Sequence, residues 1–152
     1  MFTVMESPLG FLLIREEQGL LTAIDFADAP AKAEEDCPVL IEARAQLMAY
    51  FAGRLRAFDL PLDPRGTAFQ LRCWEALRRI PYGQAITYGE EAKRVGNAAV
   101  CRAVGGANGR NPLPIVIPCH RVLAAGGRLG GYSAGLKRKR FLLDREGIPY
   151  RE

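Results

Sequence analysis

The first 26 residues contain three short stretches in which apolar and polar side chains alternate in part, a pattern that is typical of β-strands with one apolar face. Two turn-forming segments, Ser7-Pro8-Leu9-Gly10 and Glu16-Glu17-Gln18-Gly19, interrupt this alternation. Because the connections are short, we expect neighbouring strands to pair antiparallel. The predicted strands span residues 2–5, 11–15 and 20–26.

A helical pattern replaces the alternation near Asp36 and Pro38, and Gly53 is a residue type that commonly follows a helix. Apolar residues recur on one side of this helix, which would cover the apolar face of the sheet. The sequence therefore predicts a small lobe made of a sheet and a helix. The apolar helix positions are Leu40, Ala43, Leu47, Ala49, Tyr50 and Phe51.

A segment rich in proline and glycine predicts a linker over residues 61–66, between a first lobe of residues 1–60 and a second of residues 67–152. The charge changes sign there. Residues 1–60 contain 5 Lys/Arg and 10 Asp/Glu, a net charge of −5, whereas residues 61–152 contain 16 and 7, a net charge of +9. A basic half indicates a polyanionic partner, although a solvated surface with a chance imbalance fits the charge alone.

The second lobe has a mainly helical pattern. Thr67 and Gln70 have the spacing of a capping box, which starts a helix that ends before Pro81. This helix is expected to point four side chains inward, and a basic helix from about residue 136 to 145 closes the chain, before Gly147. The inward side chains are Phe69, Cys73, Trp74 and Leu77.

A second capping box, Thr87 with Glu90, opens a helix to about Val95. A turn at Gly96-Asn97 and a short helix from about residue 98 to 105 follow. Two short helices joined by a tight glycine-containing turn are the pattern of a helix-turn-helix, although many such pairs only pack against each other. With the strands of the first lobe, the elements predict an α+β fold.

The four cysteines lie 36, 28 and 18 residues apart, and the chain has a single histidine. Zinc ligands usually come in close pairs such as Cys-x-x-Cys, which this sequence lacks. We therefore expect no metal and no other cofactor. No apolar run reaches about 18 residues and no leader segment is visible, so we expect a cytoplasmic protein with reduced thiols and no membrane association.

Cys119 stands beside His120, the only histidine, after the apolar run Ile115-Val116-Ile117 that we expect to be a buried strand. A bend at Pro118 would let the imidazole take the thiol proton, directly or through a water, with a carboxylate orienting the ring. Glu146 and Glu90 both fit that last role. Taken alone, Cys119 also fits a purely structural role, as a small apolar side chain buried at a strand end.

The segment from Asn111 to Val122 resembles the active-site segment of the O6-alkylguanine-DNA alkyltransferases, the methylated-DNA–protein-cysteine methyltransferases. Tyr88, Arg102-Ala103-Val104-Gly105-Gly106-Ala107, Gly130-Gly131-Tyr132-Ser133 and Glu146-Gly147 follow the order and spacing of that family. The resemblance is close over residues 67 to 147. It implies a ribonuclease-H-like first lobe and a second lobe with a DNA-binding helix-turn-helix.

The resemblance also implies a role for each matching residue. Cys119 would accept the alkyl group, His120 would act as its base through a water, and Glu146 would orient His120. Asn111 would hold the active-site turn, and Arg102 would fill the space that an extruded base leaves. The base pocket would be formed by Tyr88, the Val122 carbonyl, Tyr132 and Ser133. Independently of the resemblance, basic side chains would bind the DNA backbone without sequence preference, and we expect these contacts from Lys93, Arg94, Lys137, Arg138 and Arg140. Further DNA contacts are expected from Ala103, Gly105 and Arg121.

The implied partner is double-stranded DNA that contains O6-alkylguanine, or O4-alkylthymine, bound by a monomer. Because a thioether on Cys119 has no route back, each molecule would react once. Gly131 stands where the family often has asparagine, which bears on the size of alkyl group accepted.

Two other functional classes remain open: a helix-turn-helix protein that binds damaged DNA without reacting, and a thiol hydrolase. The adjacency of Cys119 and His120 fits the hydrolase less well, because such enzymes usually bring the two residues from distant segments.

Overall fold

The computed structural model describes residues 1–30, 32 and 37–152 and contains two compact units, residues 1–65 and 66–152. The first unit has one antiparallel sheet in the order β1-β2-β3, with Met5 opposite Leu12 and Ile14 opposite Ile24. The predicted meander is therefore confirmed, with strands one or two residues longer at several ends. The elements are β1 (Phe2–Ser7), β2 (Gly10–Glu17), β3 (Leu20–Ala27) and α1 (Pro38–Phe51).

The core of this unit lies between one face of the sheet and α1, as the alternation predicted. Leu12, Ile14 and Ile24 of the sheet are almost fully buried, and so are Leu40 and Leu47 of α1. Cys37 precedes the helix in an extended conformation and Pro38 is its first residue, a position where the missing N–H costs nothing. Asp36, which also marked this helix start in the sequence, lies outside the described residues.

The proline-rich segment is not a free linker over its whole length. The Leu21 N–H donates to the Pro61 carbonyl at 2.9 Å, and the Asp63 N–H donates to the Leu21 carbonyl at 2.8 Å. These two bonds attach residues 61–63 to the edge strand β3 and place them with the first unit. A proline at an edge is compatible with such pairing because its carbonyl still accepts.

The second unit is mainly helical, and its capping boxes at Thr67 and Thr87 are both present. Its two-residue strands pair in parallel, Ile86 with Val122. None of the helices in the described ranges is both long and apolar enough to cross a membrane. The elements are α2 (Ala68–Arg78), β4 (Ile86–Thr87), α3 (Tyr88–Val95), α4 (Cys101–Gly109), β5 (Val122–Leu123) and α5 (Leu136–Glu146), with 3-10 turns at residues 98–100, 119–121 and 125–127.

The helix pair α3 and α4 has the predicted order, but α4 ends at Gly109, four residues later than expected. Gly105, Gly106 and Gly109 are part of this helix, which packing on one side stabilises. Val104, Ala107 and Asn108 are buried, and the Trp74 indole N–H donates to the Ala107 carbonyl at 2.9 Å. Burial of this face outweighs the weak helix propensity of glycine, about 1 kcal/mol per residue.

The predicted strand over Ile115-Val116-Ile117 is wrong. These residues form a tight turn in which the Ile117 N–H donates to the Leu113 carbonyl at 2.8 Å. Pro112, Pro114 and Pro118 have no N–H to donate to a strand ladder, so the apolar run folds on itself in the interior. Ile115 is 1% exposed and has a φ of 75°, a left-handed conformation that β-branched residues rarely adopt.

Candidate active site

The second unit contains a cavity of about 330 Å³ in which Cys119 forms part of the wall. The volume lies in the usual range for small-molecule pockets, roughly 300–1,000 Å³. Residues from α3, α4 and the loop before α5 surround it, so three distant segments meet at the thiol. The lining residues are Tyr88, Gly105, Asn108, Gly109, Cys119, Gly131, Tyr132 and Ser133.

Hydrogen bonds around Asn111 hold Cys119 in place. The Asn111 Nδ2 donates to the Ile117 carbonyl at 2.8 Å, and its Oδ1 accepts the Leu113 N–H at 2.9 Å. The Cys119 N–H donates to the Ile117 carbonyl at 2.8 Å, and a 3-10 turn begins at Cys119. Asn111 thus ties both ends of the turn before the cysteine, and the bend expected at Pro118 is present.

The Cys119 thiol is 7% exposed, and this burial raises its pKa above the usual range. Hydrogen bonds from the side chains of Asn111 and Tyr132, and the positive charge of Lys139, act in the opposite direction. The same groups would stabilise a thiolate once the sulfur begins to react. The resting sulfur therefore keeps its proton but has three groups around it that favour the anion.

His120 is fully buried and forms a 2.6 Å hydrogen bond between its Nε2 and Oε2 of Glu146. Burial lowers the pKa of His120, although Glu146 acts to raise it, so the ring is neutral near pH 7. A carboxylate at Nε2 fixes the tautomer with the proton on that nitrogen. Nδ1 is then a bare acceptor, and it has no hydrogen-bonding partner among the residues the structure describes.

Arg121 completes a buried ion cluster with Glu146. Its Nε donates to Oε1 at 2.7 Å and its Nη2 donates to Oε2 at 3.1 Å, while Nη1 donates to the Ile80 carbonyl at 2.6 Å. The Gly83 N–H also donates to Oε1, at 3.2 Å. A carboxylate at the last residue of a helix is disfavoured by the partial negative charge of that helix end, and the hydrogen bonds from Arg121 and Gly83 offset this effect for Glu146.

This cluster corrects one prediction and decides between two carboxylates that the sequence left open. Arg121 is 6% exposed and bonded to Glu146, so it cannot contact DNA and instead fixes the carboxylate. Glu90, the other carboxylate considered for His120, is exposed and accepts the Thr87 N–H in the capping box. Of the two carboxylates, the structure brings only Glu146 to the histidine.

Lys139 is a site residue that sequence reasoning missed. Its side chain is fully buried, and Nζ donates to the Val122 carbonyl at 2.7 Å and to the Gly131 carbonyl at 3.0 Å. Burial lowers the pKa of Lys139 to about 8, while the nearby Cys119 acts to raise it. The lysine thus joins the loop under the cavity to α5 and supplies a positive charge near the sulfur.

The pocket residues from the sequence divide into two groups. Tyr88, Tyr132 and Ser133 line the cavity, and the Tyr88 hydroxyl donates to the Gly131 carbonyl at 3.3 Å. Val122 does not line it, and its carbonyl accepts from Lys139. Asn111 also lies behind the wall, where it supports the turn.

The residues predicted to contact DNA lie mostly at the surface of the helix pair. Arg102 and Ala103 are exposed near the start of α4, and Lys93 and Arg94 are exposed in the last turn of α3. Gly105 borders the cavity from α4. On α5, Lys137 is exposed, whereas the guanidinium of Arg138 donates to the Ala134 carbonyl and that of Arg140 pairs with Glu152.

Comparison with known proteins places both units in one family. Residues 68–148 match the DNA-binding domain of 6-O-methylguanine DNA methyltransferase, and residues 1–64 match its ribonuclease-like domain. A methylated-DNA–protein-cysteine methyltransferase of Methanosarcina acetivorans is 47% identical, over 96% of this chain and 97% of that protein.

Solved structures agree with this assignment. The Mycobacterium tuberculosis OGT in complex with DNA has a TM-score of 0.87 and 43% identity, covering 97% of this chain and 94% of that one. The Schizosaccharomyces pombe Atl1, in complex with DNA containing O6-carboxymethylguanine, has a TM-score of 0.50 and 34% identity, covering 56% of this chain and 81% of that one.

A buried thiol in a cavity beside a helix-turn-helix defines the class as a DNA alkyltransferase. The chain belongs to the 6-O-methylguanine DNA methyltransferase family, with both family domains present. The α+β fold and the family expected from the sequence are therefore confirmed.

Proposed function

We propose that this protein repairs double-stranded DNA by moving the alkyl group of O6-alkylguanine to the sulfur of Cys119. The observation that carries the proposal is the position of Cys119 in the wall of a cavity whose other sides present Tyr88, Tyr132 and Ser133. Aromatic and hydroxyl groups are suited to stacking and hydrogen bonding with a purine. The DNA complexes of the M. tuberculosis and S. pombe relatives support the same class of substrate.

In the proposed reaction the sulfur attacks the alkyl carbon, and the bond between that carbon and O6 breaks with its electron pair passing to the guanine oxygen. The thiol proton passes to Nδ1 of His120 through a water and from there to the guanine product. A donor near O6, from Tyr132 or the Ser133 N–H, stabilises the charge that develops on that oxygen. No metal or cofactor is required, because the sulfur itself is the acceptor.

The product is a thioether at Cys119, and each molecule therefore reacts once. Thiol exchange can reverse a disulfide but not a carbon–sulfur bond of this kind. The four cysteines form no disulfide bonds, which fits a reducing compartment, and we propose that the protein acts in the cytoplasm. We also propose that it acts as a monomer. O4-alkylthymine is a second substrate of the same chemistry.

The damaged nucleotide must leave the helix before it can react, because O6 lies on a base edge inside the duplex. In the proposed mechanism Arg102, which is exposed near the start of α4, enters the stack and fills the gap. Lys93 and Arg94 bind phosphates and give affinity without sequence preference, which a repair protein needs. Ala103, next to Arg102, permits a close approach of the helix to the groove.

The deciding experiment is intact mass spectrometry after incubation with a duplex that contains one O6-methylguanine. We expect a gain equivalent to one methylene, with a plateau at one methyl per protein molecule, and peptide mapping should place it on Cys119. Cys119→Ala should show no gain, whereas Cys101→Ala, a change at a half-buried cysteine outside the cavity lining, should behave as the wild type. A methyl group on another residue, or repeated turnover, would contradict the proposal.

The alternative is a helix-turn-helix protein that binds damaged DNA without reacting, and the exposed basic helix pair is the feature that favours it. The same experiment separates the two functions. A protein that binds the modified duplex but never changes mass belongs to the second class.

A further inference from the structure

A buried carboxyl and a buried amide join the two helices of the helix-turn-helix. Glu91 on α3 is 0% exposed and Asn108 on α4 is 6% exposed. The Asn108 Nδ2 donates to Oε1 of Glu91 at 2.7 Å. Asn108 also lines the cavity that holds Cys119, so this pair connects the interior of the helix pair to the wall of the cavity.

One side-chain oxygen of each residue has no hydrogen-bonding partner among the described residues. Oε2 of Glu91 and Oδ1 of Asn108 are both buried, and neither has a hydrogen bond among the described residues. Both atoms are acceptors if the carboxyl is ionised, and a buried acceptor without a donor is costly. A single proton on Oε2 supplies the one donor that these two atoms need.

We propose that Glu91 is a positioning residue held in its protonated form, whose Oε2–H donates to Oδ1 of Asn108 and closes a two-bond ring that fixes Asn108 in the cavity wall. The acid and the amide then pair through two hydrogen bonds, as two planar groups with complementary donors and acceptors can. The ring needs no counter-ion in the interior. The link to alkyl transfer rests on the proposed role of Cys119, whereas the protonation itself does not.

The surroundings of Glu91 favour the neutral acid. Burial raises the pKa of Glu91 to about 7, while the hydrogen bond from Asn108 and the charge of Arg94 act to lower it. Arg94 is exposed and therefore a weak counter-charge.

The helices packed against α3 also carry arginines, Arg72 and Arg78 on α2 and Arg102 on α4, but all three are exposed, and Arg94 is the cation among the described residues that contributes to the pKa of Glu91. Cys73 on α2 has a pKa raised to about 11, first by burial and then by the charge of Glu91. Tyr88 on α3 also has a raised pKa, to which burial, Cys119 and Glu91 contribute in that order. The 3-10 turn at residues 98–100 and the strands β4 and β5 have no titratable side chain.

The sign of the pH dependence follows from the direction of the shift. The folded protein holds this proton up to about pH 7, whereas a free glutamate releases it near 4.5. The stabilisation from the acid–amide ring is therefore complete below about pH 4.5 and is lost as the pH rises through about 7.

Glu91→Gln is the matched test, because an amide at this position reproduces the protonated acid at every pH: its N–H donates to Oδ1 and its oxygen accepts from Nδ2. Thermal unfolding of both proteins is measured from about pH 4 to about pH 9. We expect equal melting temperatures at the acid end and a higher melting temperature of Glu91→Gln at the alkaline end. A difference that stays constant over this range would overturn the proposal.

Infrared spectroscopy detects the protonated carboxyl group of Glu91 directly. The folded wild type at about pH 6 should show a carboxylic acid C=O band that Glu91→Gln lacks and that fades as the pH passes about 7. Absence of this band at about pH 6 would show that the carboxyl is ionised and would reject the ring. Neither measurement depends on alkyl transfer, so each can succeed where the mass experiment on Cys119 fails.

The positioning role is tested by methyl transfer from duplex DNA. The ratio of the Glu91→Gln rate to the wild-type rate should rise by up to about tenfold as the pH rises from about 6 to about 8, because only the wild type loses the ring. The exchanged pair Glu91→Gln with Asn108→Asp restores one acid and one amide and should restore the wild-type pH profile. A ratio that does not change with pH would show that Glu91 has only a structural role.

Discussion

At the scale of single residues, Lys139 shows how a buried charge can serve the reaction. An ammonium group loses its water shell on burial, and two carbonyl oxygens, those of Val122 and Gly131, replace part of that shell. The cost appears as a pKa lowered to about 8. Because Cys119 and Lys139 interact, the charge of the lysine favours the thiolate at the moment of attack.

Lys139→Met should therefore make the sulfur less acidic. The change removes the positive charge that acts to lower the pKa of Cys119, so this pKa should rise further. The pH profile of iodoacetamide labelling at Cys119 measures this shift. Lys137→Met, an exposed lysine of the same helix, is the control and should leave the profile in place. An unmoved profile in Lys139→Met would remove the lysine from the chemistry.

The sequence was informative for Cys119, His120 and Glu146, since their neighbours match a known family. Arg121 was expected among the DNA contacts, whereas the structure buries it against Glu146. Lys139 and Glu91 were missed, because a charged residue in a charged helix is usually solvated. Helical spacing would have found Lys139: the buried positions of α5 are Lys139, Leu142, Leu143 and Glu146, which lie on one helix face.

At the scale of elements, α4 combines two tasks on two faces. Its inner face, Val104, Ala107 and Asn108, is buried, while Arg102 and Ala103 are exposed. A short helix with small residues brings the backbone close to whatever it contacts, and Gly105 and Gly109 border the cavity. The helix can thus present an arginine to DNA and a pocket wall to the base.

Arg102→Ala should separate these two tasks. Transfer from duplex DNA should fall by at least about tenfold, because the extruded base would no longer be replaced in the stack. Transfer from free O6-benzylguanine, which needs no extrusion, should change little. Rates measured with both substrates give the comparison. Equal losses on the two substrates would contradict the role in base flipping.

The elements also show where sequence patterns are weak. The meander, the capping boxes and α5 were predictable because each has a local cause: alternation, an N-terminal cap, or a glycine after the helix at φ 70°. The turn at residues 113–117 was predicted as a strand because a short apolar run does not distinguish a strand from a buried turn. The three surrounding prolines were the signal that opposed a strand.

At the scale of the whole molecule, charge is divided between the two halves of the chain. Residues 61–152 have a net charge of +9, against −5 for residues 1–60. Since phosphate contacts release counter-ions, binding to duplex DNA should weaken steeply as salt increases. The composition predicted this partner class, although it could not show which basic residues are exposed.

Removal of a single basic residue that contacts a phosphate should reduce the salt dependence of DNA binding by a fixed amount. Lys93→Ala and Arg94→Ala should each lower the slope of log affinity against log salt concentration by about one, for modified and unmodified duplexes alike. Lys32→Ala, an exposed lysine of the acidic half, should leave the slope unchanged. Fluorescence anisotropy over a salt series measures all three variants. A slope unaffected by Lys93→Ala would place the phosphate contacts elsewhere.

The left-handed Ile115 has a consequence for any use of this loop outside the protein. Its conformation costs about 1–3 kcal/mol, and Asn111, the Leu113 carbonyl and the buried surroundings support it only while the chain is folded. A synthetic peptide of residues 111–122 would lack that support and would sample extended shapes. As an immunogen it would therefore present epitopes of the denatured chain, and antibodies raised against it would not recognise the native loop.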